Sequence, residues 1–205
     1  MGKTEILAIA WFCLLVGCTS KAAAPKVAID APLRAELLRR VARDQAMRDT
    51  VMAGMRERAG SADSAAEARM SVVDADNTAW LLGVVGTGGW VTRARVGSDG
   101  ADAAFLLLQH ADSAVQRRML PRIQSSYAAG EFSGQNFALV SDRVATHQGR
   151  PQSFGTQAMI KDGQVAFFPI ADSAGVDDRR AKIGLMPLRE YKAILDSGYI
   201  GASSR

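Results

Sequence analysis

Between Pro32 and Thr146 the apolar residues return at steps of three and four, and only between Gln152 and Ile170 do they alternate. A three-to-four step stacks side chains along one face of a helix, whereas a step of two sends them to opposite faces of a strand. The chain is therefore expected to be α+β and mostly helical, with about five or six helices forming the core and one carboxyl-terminal β-hairpin packed on them. A lone hairpin is not stable in water, so the helices must carry it. A chain of 205 residues is long enough to bury a single core without covalent staples.

The helix seams are where the pattern becomes informative. A first helix is expected over 32–59, and its stripe reads Leu37, Val41, Asp44, Arg48, Val51, Met55. An acid and a base thus occupy positions otherwise given to core residues, with Gln45 beside them. One turn apart, Asp44 and Arg48 can form an ordinary surface pair or face inward to a cleft, and the inward reading is favoured. The second helix, 65–85, buries Met70, Val73, Asn77, Leu81 and Val84, so Asn77 again interrupts an apolar stripe and Asp74 lies one turn before it. Gly86-Thr87-Gly88-Gly89 ends that helix, and a connector from Trp90 reaches Gly97. It is no phosphate loop, because it follows a helix and lacks the Gly-Lys-Ser/Thr ending.

A third helix over 101–110 turns Ala104, Phe105 and Leu108 inward, and a fourth, capped by Asp112 or Ser113, carries Val115, Gln116, Met119, Leu120 and Ile123, with a break expected near Pro121. His110 and Asp112 stand at the junction. The fifth helix, 135–146, buries Phe137, Val140 and Val144 and is expected to expose Asp142 and Arg143. Residues 152–160, a Lys161-Asp162-Gly163 turn and 164–170 read as the hairpin. A short helix from Asp177 or Asp178 to Gly184, a last one over 187–195 and a loosely held tail over 199–205 complete the chain.

Met1-Gly2-Lys3 precedes an apolar run over 6–17 that is too short to span a bilayer and is placed like a signal-peptide core. Its ending, Leu15-Val16-Gly17-Cys18, resembles the bacterial lipobox, in which the cysteine is lipidated and becomes the new amino terminus. The expected organisation is a signal peptide over 1–17, lipidated Cys18 and a flexible tether over 18–30, and a single domain over 31–200. Anchoring is then to a membrane through Cys18, and Thr19 in place of an aspartate points to the outer membrane facing the periplasm. An ordinary signal peptide cut elsewhere is the alternative. Cys13 and Cys18 are the two cysteines, so the folded body has no disulfide, catalytic thiol or cysteine metal site.

The net charge of +4 comes from bases mixed with acids along helices, as in Arg39-Arg40-Val41-Ala42-Arg43-Asp44, without interleaved aromatic residues. No nucleic-acid partner is expected.

Several short stretches share a further resemblance. Gly89-Trp90, Gln109-His110-Ala111-Asp112 with Gln116, Asp142-Arg143, Pro151-Gln152-Ser153-Phe154-Gly155-Thr156-Gln157, and Asp177-Asp178-Arg179-Arg180 with Gly184-Leu185 resemble a bacterial family of unknown function. Its motifs are of the type Gly-Trp-Pro, Gln-His-x-Asp, Asp-Arg and Gln-x-Tyr-Gly-Thr-Gln. The resemblance runs from Asp44 to Tyr191 and implies that these residues form one site, without implying an activity. Val91 stands where the family has proline and Phe154 where it has tyrosine, so no mechanism through a phenol at that position applies here.

His110 is the candidate general acid or base, with Asp112 or Asp44 to orient it. Arg143, Arg179 and Arg180 can grip a carboxylate or phosphate through forked donors, and Gln152, Thr156 and Gln157 can hydrogen-bond a sugar, amide or peptide. Asp44, Gln45, Arg48, Asn77, Gln116 and Asp142 complete the candidate ligand-contacting set. The plainer alternatives are a helix-capping His110, ion pairs of Asp142-Arg143 and Asp177-Arg180 within the fold, glutamines that satisfy buried backbone, and an exposed His147. Two histidines without metal-ligand spacing imply no metal, and no cofactor is implied. A glycosidase-type carboxylate pair could come from Asp44, Asp74, Asp112 and Asp142, whose separation in space the sequence does not give.

The leading expectation is a binding or interaction module for an anionic or amide-rich envelope ligand, whether polar small molecule or polymer; the alternatives are a hydrolase or transferase using His110 with Arg143 and Gln157 as clamps, and a structural protein with an internal polar network. A cleft holding His110, Arg143 and Gln157 together favours the first two, and mutual satisfaction favours the third.

Overall fold

The structure, a computed structural model, describes residues 28–57, 64–86, 88–161 and 164–203. The expected signal peptide, Cys18, most of the tether, the Gly60 helix stop and the Asp162-Gly163 tip of the hairpin lie outside them. Among the described residues there are seven α-helices and one two-stranded sheet: α1 (Ala31–Glu57), α2 (Ser64–Val85), α3 (Arg93–Gln109), α4 (Ser113–Ala128), α5 (Gly134–His147), β1 (Ala158–Lys161), β2 (Gln164–Phe167), α6 (Val176–Lys182) and α7 (Leu188–Ser203). No helix of the described residues is long and apolar enough to cross a membrane.

The α+β architecture and the carboxyl-terminal hairpin are as expected. Seven helices exceed the expected five or six; the two carboxyl-terminal ones were each expected as helices, and the last runs further than expected. Three boundaries also differ. Helix α3 begins within the expected connector: Thr92 accepts a hydrogen bond from the Arg95 N–H and starts a turn, and Gly97, at φ 76°, kinks the helix without ending it. Helix α4 runs through Pro121 to Ala128. The expected tail is helix as far as Ser203.

Helix α1 packs on α3 and α2, and α4 packs on α5. Leu37 and Val51 on α1, Leu81 and Val85 on α2, and Val96, Leu107 and Leu108 on α3 are buried. Trp90 closes one end of the core, with Phe132 edge-on at 6.1 Å and Phe105 edge-on to Phe132 at 5.6 Å. On α2 the stripe continues to Val85 rather than Val84, in keeping with the four-residue step from Asn77 and Leu81.

The strands are shorter than the alternating pattern. β1 and β2 pair antiparallel from Ala158↔Phe167 to Lys161↔Gln164, while 153–157 is not strand at all. The sheet is held to the helices by β2 on α7, where the Phe167 and Tyr191 rings stack at 6.2 Å.

Candidate functional site

The polar seam of α1 faces inward. Asp44 is 1% exposed, and its carboxylate gathers side chains from two other positions on α1 and from the end of α3. Gln45 Nε2 donates to Asp44 Oδ2 at 2.7 Å, and Arg48 donates through Nε to Oδ2 and through Nη2 to Oδ1, both at 3.3 Å. His110 Nδ1 lies 2.9 Å from Oδ2 and 3.1 Å from Oδ1. Arg48 also reaches Asp74 on α2 and the Met70 sulfur, so one guanidinium bridges two carboxylates.

His110 is delivered by helix termination. It is the residue that caps α3, its backbone N–H bonding to the Leu107 and Leu108 carbonyls, and its ring turns back to α1. The corner is fixed from the far side: buried Gln116 on α4 donates through Nε2 to the Gln109 carbonyl at 3.1 Å and the Ala111 carbonyl at 2.9 Å. Asp112 caps α4, accepting from the Val115 N–H at 2.8 Å. The aspartate that holds His110 is therefore Asp44, 66 residues upstream, and Asp112 is committed to a helix end.

Arg48 Nε also lies 3.1 Å from His110 Nδ1. One ring nitrogen cannot donate to a carboxylate and accept from a guanidinium at once. The nearer carboxylate oxygen, which can only accept from the ring, favours Nδ1–H donating to Asp44, with Arg48 Nε directed at Asp44 Oδ2. Nε2 then carries the lone pair, and it has no hydrogen-bond partner among the described residues. Burial pushes the His110 pKa below its ordinary value, with Asp44 opposing and Arg48 reinforcing the shift. Burial likewise raises the Asp74 carboxyl, against the pull of Arg48.

His110 lines a groove of about 560 Å³ together with Glu67, Met70, Ser71, Asp74, Thr78 and Asp112. Donor atoms of Asp44, Asp74 and His110 lie within 4.8 Å of one another, a grouping that could hold a metal ion. Chain spacing cannot show it, because three helices contribute one ligand each. The Arg48 guanidinium already supplies a positive charge between the two carboxylates, so an added cation would compete with it.

A second polar centre sits at the other end of the chain. Asp142, expected on an exposed face, is fully buried, and the 153–156 backbone wraps around it. It accepts from the backbone N–H of Ser153 at 2.7 Å, of Phe154 at 3.1 Å and of Thr156 at 3.0 Å, and from the Thr156 hydroxyl at 3.0 Å. These bonds replace a strand ladder, which is why β1 starts only at Ala158. Gln152 is buried too, donating to the carbonyls of Gln157 and Phe168 while its Oε1 accepts from the Gln157 N–H. Gly155 takes φ 67°, and a Cβ there would lie 2.6 Å from Leu188 Cδ1.

The remaining candidates serve the same wrap. Arg143 donates to the Gln109 carbonyl and to Gln157 Oε1; Arg179 donates to the Ser153 carbonyl and pairs with Asp172; Arg180 donates to the carbonyls of Met186 and Phe154. Phe154 packs edge-on to Phe137 at 6.2 Å. Asn77 accepts from Arg40, and its Nδ2 is buried with no hydrogen-bond partner among the described residues. His147 is exposed. The single site implied by resemblance is thus two centres, bridged by Arg143 at Gln109. One is saturated by backbone, and the other opens on a groove. In the sequence Asp74 stands out only as one of four possible glycosidase-type carboxylates and as the residue one turn before Asn77, and Glu67 carries no signal.

A family model matches residues 31–202. The chain belongs to that family, DUF6624, a family of unknown function. The match spans α1 to α7, so it takes in both polar centres. No curated protein and no solved structure matches the chain.

Proposed function

We propose that the chain is an acid–base enzyme of the hydrolase or transferase type, tethered to the cell envelope through a lipidated Cys18, with His110 as its general base. The observation that carries this reading is His110 Nδ1 held at 2.9 Å by a buried carboxylate, while the opposite nitrogen has no partner among the described residues and the ring lines a groove. In that tautomer Nε2 takes a proton from a hydroxyl or water nucleophile, and Asp44 stabilises the imidazolium that forms. Burial keeps the ring in its neutral, basic form near neutral pH. The tether rests on the lipobox-like Leu15-Val16-Gly17-Cys18.

The groove walls bear on the substrate. Glu67, Asp74 and Asp112 make them acidic, and Ser71 and Thr78 add hydroxyls, so a neutral or amine-bearing polar substrate suits them better than an anion. Capture of an anionic envelope ligand at this groove has less support, because Arg143 and Arg179 are engaged with the chain itself.

The test is turnover of chromogenic esters, amides and glycosides, with and without amino groups, by the wild type and by His110→Gln, Asp44→Asn and His147→Gln. Turnover is expected to fall by about 10²–10⁴-fold in His110→Gln and to persist in His147→Gln. Equal turnover by the His110 variant would overturn the assignment.

A further inference from the structure

Arg180 is the largest fully buried side chain among the described residues, 1% exposed, and no carboxylate of those residues forms an ion pair with it. Its Nε donates to the Met186 carbonyl and its Nη1 to the Phe154 carbonyl, both at 2.6 Å, and the Tyr191 ring covers its face at 5.1 Å. Nη2 has no hydrogen-bond partner among the described residues. The nearest acids are committed elsewhere: Asp142 to the 153–156 backbone, and Asp177 to the Leu188 N–H at 2.7 Å. Asp177 and Asp142 offset its charge through space without bonding it, so every hydrogen bond of the guanidinium goes to a neutral group and one donor edge is left over, and a buried cation gains most from an anion paired with it directly.

The space beside this guanidinium is a pocket of about 300 Å³, which shares no lining residue with the His110 groove. Its walls are mainly Leu139, Leu185, Met186, Tyr191 and Ile194, and Met186 and Ile194 are exposed apolar side chains. The volume is at the small end of ligand pockets, and an apolar wall with one convergent charged donor is how such pockets fix orientation. A dianionic phosphate would bring more charge than one free donor edge answers. A monoanion with an apolar tail matches both halves.

We infer that this pocket binds a monocarboxylate with an aliphatic chain, of the fatty-acid type, its carboxylate on Arg180 Nη2 and its chain against Leu139, Leu185, Met186 and Ile194. This goes beyond the acid–base reading and does not depend on it.

The probe is octanoate, compared with octanol and octylammonium by titration calorimetry, with Met methyl resonances reporting the place of binding. Octanoate is expected to bind the wild type at least about tenfold tighter than octanol, shifting the Met186 methyl, with octylammonium binding weakest. Arg180→Gln is expected to abolish that preference. Because Arg180 also braces backbone, Ile194→Glu serves as the second variant: it puts a carboxylate at an exposed position beside the pocket and is expected to weaken octanoate about tenfold with unfolding unchanged. Absence of binding at millimolar octanoate, equal affinity for octanol, an unmoved Met186 methyl, or full affinity in Ile194→Glu would each overturn the inference.

Discussion

Two buried aspartates in this chain do opposite things, and their partners explain why. Asp142 accepts from three backbone N–H groups and a hydroxyl, all neutral and fixed by the chain path, so no acceptor capacity is left for a ligand. Asp44 is surrounded by side chains, one of which is an imidazole that reaches a groove. The first is a bracket and the second an orienting group. Asp142→Asn turns one acceptor oxygen into an NH₂ that faces backbone donors, which is expected to lower stability by about 3 kcal/mol. The melting temperature should then fall by on the order of 10 °C, read by circular dichroism; a fall of under about 2 °C would show that the bracket is dispensable. The sequence hid Asp142 because Asp142-Arg143 reads as a charged outer face. Helix α5 is in fact covered on two sides, by α4 and by the 153–156 wrap, so its buried face is wider than the stripe of Phe137, Val140 and Val144.

At the scale of elements, the helices were legible because little besides a helix produces a 3.6-residue period of apolar side chains. The strand over 152–157 was not. Alternation shows which side chains are apolar, but it cannot tell whether the backbone donors are met by a neighbouring strand or by a carboxylate, and here Asp142 meets them. The first turn of α3 was hidden for a similar reason, since Gly97 reads as a stop but serves as a kink. Close approach between elements leaves a sharper test at Gly134, the first residue of α5. A Cβ there would lie 2.3 Å from the Ile183 carbonyl oxygen, just beyond α6, and this neighbour is backbone that cannot swing away. Gly134→Ala is expected to cost about 1–3 kcal/mol through displacement of α5 from that carbonyl. Gly89→Ala, where a Cβ meets nothing within 4 Å, should stay within about 0.5 kcal/mol. Urea midpoints measure both, and equal midpoints for the two variants would show that α5 has room to move.

Across the whole molecule, the groove site is assembled from α1, α2 and the end of α3, and no spacing along the chain fixes distances among such positions. The seams of α1 and α2 did flag Asp44, Arg48 and Asn77 as polar where apolar residues belong, and Asp44 faces inward as that pattern suggested. Which aspartate meets His110 was decided by tertiary packing alone. That packing has a consequence for the pH dependence of folding. Burial lowers the folded-state pKa of His110 below the ordinary 6.5, so in the window from 6.5 downward the unfolded chain binds the proton more tightly than the folded one. Stability from this group is complete above that window and is lost as pH falls through the lowered value. Asp74 acts with the opposite sign: its raised pKa makes the folded chain the better proton acceptor just above 3.8, so its contribution is present at low pH and is lost as pH rises through the raised value. The two slopes have opposite signs, which lets a variant at one of the two groups separate them. In urea unfolding between about pH 5 and 7.5 the wild type is expected to lose stability on the acid side, and His110→Gln to show a shallower slope there with little change above neutral. If the two slopes coincide, the ring is not held neutral by burial, and the base assigned to the groove would have to be sought in another residue.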